Sequence, residues 1–136
     1  MNPRRLMSPM ALAAMFFTSG LTHLVRPQVF ATIMPRVLPP RSHRPLIYAT
    51  GAAELACGIG LCGRQPWAGS ASAVLLAGVF PANVQMALDA GSGRNPGLAD
   101  SRIVAWGRLP LQLPMVQAAL AARGATRSAT PSARPR

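Results

Sequence analysis

The stretch LIYATGAAELACGIGLCGRQPWAGSASAVLLAGVFPANVQMAL, residues 46–88, carries two formal charges, Glu54 and Arg64. Arg64 falls in a short polar break, Gly63, Arg64 and Gln65, which divides the stretch into apolar blocks at about 46–62 and 66–88. Both blocks have the length of a helix crossing a hydrocarbon core about 30 Å thick at about 1.5 Å per residue. Neither has the charged outer face that a helix of a water-soluble domain of this size shows. Ala, Leu, Gly and Met dominate the blocks, and aromatic residues make up only 5% of the chain, which favours helices packed through small residues over a β-barrel. Pro66 opens the second block where proline is tolerated, and Trp67 beside it is placed as an interfacial anchor.

Working outward, a third block covers about 7–25, preceded by Arg4 and Arg5. A cleavable signal peptide would use the same features, but no A-x-A-type site follows, and the block reads as a retained helix. Residues 26–45, RPQVFATIMPRVLPPRSHRP, are rich in proline and arginine and predict a loop with one short interfacial turn around Phe30 and Met34. Residues 89–101, DAGSGRNPGLADS, predict a polar loop ending in Asp100 or Ser101 as a helix cap. A fourth block spans about 102–122, interrupted by Arg108, Pro110, Gln112, Pro114 and Gln117. The expected fold is all-α, a four-transmembrane-helix up-down bundle over residues 1–123. Residues 124–136 are expected to form a disordered basic tail.

The net charge of +11 rests on 14 basic residues, every one an arginine. Apart from Arg102 and Arg108 in the fourth block, they lie at both ends of the chain and between the apolar blocks, as a bilayer demands. That placement argues against nucleic acid as a partner. Orientation is harder, because the arginines divide evenly between the two sides of such a hairpin. The leading arginines, the turn at Arg64 and the tail favour both termini in the cytoplasm, with the chain in a bacterial cytoplasmic (inner) membrane. Cys57 and Cys62 are separated by about 140° around one helix, a poor geometry for a disulfide or a two-cysteine metal site, so both read as packing residues. The methionines are scattered over loops and different helices and read as packing, not as a soft-metal site.

Every block carries a polar side chain that a bilayer should reject: His23, Glu54, Asn83, and Arg108 with Gln112. Counted inward from the side of the two long loops, His23 lies about 4 Å deep, Asn83 and Arg108 about 7 Å, and Glu54 and Gln112 about 12 to 14 Å. All five fall in one leaflet. Glu54 costs roughly 2.5 to 3.5 kcal/mol at mid-helix, and each Leu or Ile of its block returns only about 0.3 to 0.6 kcal/mol, so Glu54 needs a partner from another helix. An ion pair with Arg108 is the expected one. Gly58, four residues after Glu54, is the expected point of close backbone approach. The cluster reads either as interhelical glue or as the lining of a pocket or proton path. His43, in the loop, is the weaker histidine candidate.

The segments GLTHLVRPQVFATIMPRVLP (20–39), IYATGAAELACGIGL (47–61), VFPANVQMAL (79–88) and RLPLQ (108–112) resemble the DoxX-like family of small bacterial four-helix membrane proteins. The resemblance implies that His23, Glu54, Asn83, Arg108 and Gln112 match that family's recurrent polar positions. Some members are subunits of thiosulfate:quinone oxidoreductase, so it also implies a quinone and an oxidoreductase partner subunit. No haem-attachment, iron–sulfur or dinucleotide motif accompanies it. Two classes of function stand open. In one, Arg108, Gln112 and Asn83 hold a carbonyl or an anion while Glu54 and His23 relay protons. In the other, the chain is a structural or assembly protein, alone or as a homo-oligomer in the lipid bilayer, whose polar cluster only specifies packing. A small-solute carrier would need more helices than four short ones supply, hence oligomerisation.

Overall fold

A computed structural model describes residues 6–127, and among them the fold is all-α, without a strand. The helices are α1 (Pro9–Val25), α2 (Gln28–Ala31), α3 (Pro40–Cys62), α4 (Ala68–Asp89) and α5 (Arg102–Arg127), with a 3-10 turn at Gly97–Asp100 before α5. Arg4, Arg5 and the expected tail beyond Arg127 lie outside the described residues. α5 continues four residues past Arg123, so the start of the expected tail is helical.

Ser8 starts α1, its hydroxyl accepting from the Ala11 N–H at 3.1 Å, with Pro9 at the first helical position. α3 begins at Pro40, six residues before the apolar block. Pro39 holds an extended conformation (ψ 139°), and Pro40 supplies a first helical residue that needs no N–H partner. The segment 40–45 is thus helix where composition predicts loop, with Pro45 tolerated near the helix start. α3 ends in a Schellman turn. The Gln65 N–H donates to the Gly60 carbonyl at 2.8 Å and the Arg64 N–H to Leu61 at 3.2 Å, while Arg64 takes the left-handed conformation (φ 50°) usually given to glycine. Trp67 folds back over Gly60, where an added Cβ would lie 2.7 Å from the indole ring.

The long helices pack in two pairs, α1 on α3 and α4 on α5, joined mainly through α3 and α4. Glycine lets the pairs close. A Cβ on Gly20 would lie 2.8 Å from the Gly51 carbonyl oxygen, and one on Gly69 would lie 2.5 Å from the Ala119 carbonyl oxygen. Gly58 also faces α1, but there it meets the Phe17 ring at 3.2 Å, so the tight crossing is at Gly51, not Gly58. One core cluster gathers Leu12, Phe16, Cys57, Leu61, Leu76 and Ala119, and a second holds Ile33, Met86 and Ala105 near the loops. Cys57 is buried and Cys62 exposed, both as free thiols.

The loop from 90 to 101 is built by its own polar residues. Asp100 does not cap α5; its carboxylate accepts from the Gly93 and Asn95 N–H groups at 3.0 and 3.4 Å, and Gly91, Gly93 and Gly97 take positive φ. Asn95, buried, donates to the Met86 and Ala99 carbonyls at 2.9 and 3.2 Å. Among the described residues two helices, α3 and α4, are long and apolar enough to cross a membrane; α1 is apolar but shorter.

Candidate functional site

The tight Gly20–Gly51 crossing sets the rotation of α1 against α3 and places His23 beside Glu54. The Glu54 side chain, 7% exposed, accepts from the Ser19 hydroxyl at 3.1 Å through Oε1, and its Oε2 lies 3.1 Å from His23 Nδ1. His23 Nδ1 is also 2.9 Å from the Ser19 carbonyl oxygen. Both close neighbours can only accept, which assigns the proton of a neutral imidazole to Nδ1 and leaves Nε2 as its acceptor. Among the described residues Nε2 meets no partner. Phe30, carried by α2, stacks on the imidazole with centroids 3.5 Å apart and planes 12° apart. Glu54 Oε2 has no donor aligned on it by hydrogen-bond geometry, the imidazole N–H being turned toward the Ser19 carbonyl.

Across from this pair, Gln112 links α5 to α4 by donating to the Leu76 carbonyl and accepting from Asn83 Nδ2 at 3.2 Å. Pro81 lies just beyond, so α4 lacks one of its own N–H donors near this junction. Arg108 is exposed, and no described residue forms a hydrogen bond or ion pair with it. The expected Glu54–Arg108 ion pair is therefore not formed. Glu54 is held by α1, because the glycine crossing packs α3 closely on α1 whereas α3 makes almost no contact with α5.

His23, Glu54, Asn83, Arg108 and Gln112 all line one cavity of about 190 Å³ between the two helix pairs. The rest of its wall is largely apolar, with Phe16, Phe30, Ile33, Leu76, Val79 and Met115. His43 stands apart, its Nε2 3.1 Å from the Leu38 carbonyl oxygen. Among the described residues no three His, Cys, Asp or Glu side chains are grouped to hold a metal ion.

Residues 12–123 match the family described as "Domain of unknown function (DUF8561)". The chain belongs to that family. The resemblance to the DoxX-like family is thereby corrected. The four segments that suggested it, VFPANVQMAL and RLPLQ among them, are short runs of apolar residues broken by single polar ones, a pattern that small bundles of apolar helices share. No curated protein and no solved structure matches the chain.

Three residues of the site's surroundings went unread in the sequence. Ser19 lies four before His23, on the same helix face, and that spacing was a usable signal. Phe30 was placed in the interfacial turn without a role. Asp89, one of only three acidic residues, ties the two loops together: it accepts from Arg36, from Arg94 at 3.3 Å and from Gln85 at 2.8 Å.

Proposed function

We propose that the protein is a multi-pass membrane protein, its four long helices crossing a bacterial cytoplasmic membrane in an up-down arrangement, and that its central cavity binds a small amphipathic molecule. The observation that carries the binding reading is the convergence of five polar side chains, from all four long helices, on one cavity with a mostly apolar wall. Intramembrane polar groups that face a cavity are costly and are candidates for function by default. The membrane reading is supported by the outer surface. Only 39% of the apolar window of α3 and 22% of that of α4 is buried inside the chain, whereas the core helix of a soluble protein is mostly buried. Ile59, Val74 and Leu113 stand 64%, 73% and 68% exposed. Thr18 and Thr22 return their hydroxyls to the Ala14 and Thr18 carbonyls at 3.0 and 2.7 Å, which suits a face that meets no water.

The quinone-linked oxidoreductase expectation drew on the DoxX-like resemblance and loses its support with it. A second reading, a structural or assembly protein whose polar cluster specifies packing, is favoured by the link from Gln112 to Leu76 and Asn83, which joins α4 to α5. Mass spectrometry of small molecules extracted from protein purified in native lipid separates the two. Ligand binding predicts a molecule retained by the native chain and lost in Ala82→Phe, which fills the cavity. The packing reading predicts no retained molecule and a Glu54→Gln variant that only melts earlier.

A further inference from the structure

We propose that the cavity takes a small apolar monocarboxylic acid together with one proton, the carboxylate resting on Arg108 and the proton on His23. The proposal rests on the ligand-binding reading above and names the chemical class that the lining selects. Arg108 lines the cavity and has no counter-charge among the described residues. Asn83, on α4, also lines the cavity with one amide hydrogen committed to Gln112, leaving the other for a carboxylate oxygen. A guanidinium fork matches a carboxylate better than any neutral head group does.

An anion alone would meet Glu54 in the same cavity. The groups facing Glu54 decide how that is relieved: Ser19 and His23 from α1, Arg108 from α5, no titratable side chain from the α4 wall, and Cys57 on α3 itself. His23 is the one built to take a proton. Its Nδ1 hydrogen is held by the Ser19 carbonyl, its Nε2 is unpartnered among the described residues, and a Glu54 oxygen without an aligned donor lies 3.1 Å from Nδ1, within ion-pair distance. When the acid enters, its O–H bond breaks as an N–H bond forms at Nε2, and no electrons change hands. Glu54 is then matched by His23, and Arg108 by the ligand. The volume of about 190 Å³ is below the roughly 300 Å³ at which drug-sized pockets begin, so a single ring or short chain fits and a long-chain fatty acid does not.

Calorimetry on the full chain in nanodiscs, with benzoate, benzamide and benzylamine as probes, tests this in two buffers of different ionisation heat. Benzoate should bind with uptake of about one proton, and benzamide and benzylamine at least about tenfold more weakly, a difference of about 1.4 kcal/mol. Arg108→Gln should erase the preference for benzoate, bringing it to within about threefold of benzamide, while an unchanged helical circular dichroism spectrum shows that the variant is folded. His23→Gln should abolish the proton uptake. Benzamide binding as tightly as benzoate, or benzoate binding without proton uptake, overturns the acid assignment and leaves the cavity as a binding site. If none of the probes binds and Ala82→Phe behaves as the native chain, the binding reading fails together with it.

Discussion

Gly51 of α3 lies directly beneath His23 of α1: a Cβ built on Gly51 would stand 2.6 Å from the His23 Cβ and 3.0 Å from the Gly20 carbonyl oxygen. Neither atom is the end of a flexible side chain, so neither can step aside. Gly51→Ala must therefore push α1 off α3 and draw His23 away from Glu54. The expected cost is about 1 to 3 kcal/mol, as for overpacking in other cores, read as an earlier melting transition in detergent. Gly78→Ala is the matched control. Nothing lies within 4 Å of a Cβ there, and the gain in helix propensity should stabilise α4 slightly.

Asp89 stitches the loop after α2 to the loop after α4, with its side chain 8% exposed and the Arg36 and Arg94 side chains 60% and 61% exposed. Because both arginines reach into solvent, the ion pairs are screened, and Asp89→Asn should cost only roughly 1 kcal/mol globally. The local effect should be larger. Amide hydrogens between 90 and 101 should exchange faster in Asp89→Asn than in the native chain, while those at the α1–α3 crossing keep their protection. Unchanged exchange in that loop would mean that Asp100 and Asn95 hold it unaided.

The apolar blocks of α3 and α4 were legible because a window of hydropathy detects a long uninterrupted run of apolar residues directly. Proline misled the reading at 40–45, where composition says loop but Pro40 occupies the one stretch of a helix that needs no N–H. The five polar positions were legible as the polar residues set within apolar blocks, and all five line one cavity. Their pairing was not. Depth gives distance along the axis, whereas partner choice depends on rotation about it, and the Gly20–Gly51 crossing sets that rotation. Glu54 consequently finds His23 and Ser19 on α1 instead of Arg108 on α5. Of the two residues that position offers as a cap, Ser101 directly precedes α5 and its carbonyl accepts from the Ala105 N–H at 2.9 Å, whereas three glycines at positive φ curl the loop so that the Asp100 carboxylate accepts from Gly93 and Asn95 instead.

Arg64 holds a left-handed conformation that costs an L-residue about 1 to 2 kcal/mol relative to glycine. Its N–H and that of Gln65 close the end of α3, so the turn itself is retained when the side chain is removed. Arg64→Gly should raise stability, by about 1 kcal/mol at most, since glycine also has more freedom to lose on folding. Thermal melts of the two proteins in one detergent check the sign. A lower melting point in Arg64→Gly would show that the arginine makes a contribution outside the turn, such as pairing with an anionic lipid head group.

Cys62, exposed at the end of α3, and Cys57, buried a turn and a half earlier, form a ready test of topology. With both termini in the cytoplasm, α1 runs outward, α3 returns, and the turn at Arg64 lies on the cytoplasmic face. A maleimide that cannot cross membranes should then label Cys62 in inverted vesicles and leave it untouched in intact spheroplasts. Cys57 should react only after denaturation. Labelling from the outside alone reverses the orientation while leaving the spans in place. A chain that stays in the supernatant when lysed cells are ultracentrifuged without detergent removes the bilayer altogether, and with it the reason for arginine to collect at the helix ends.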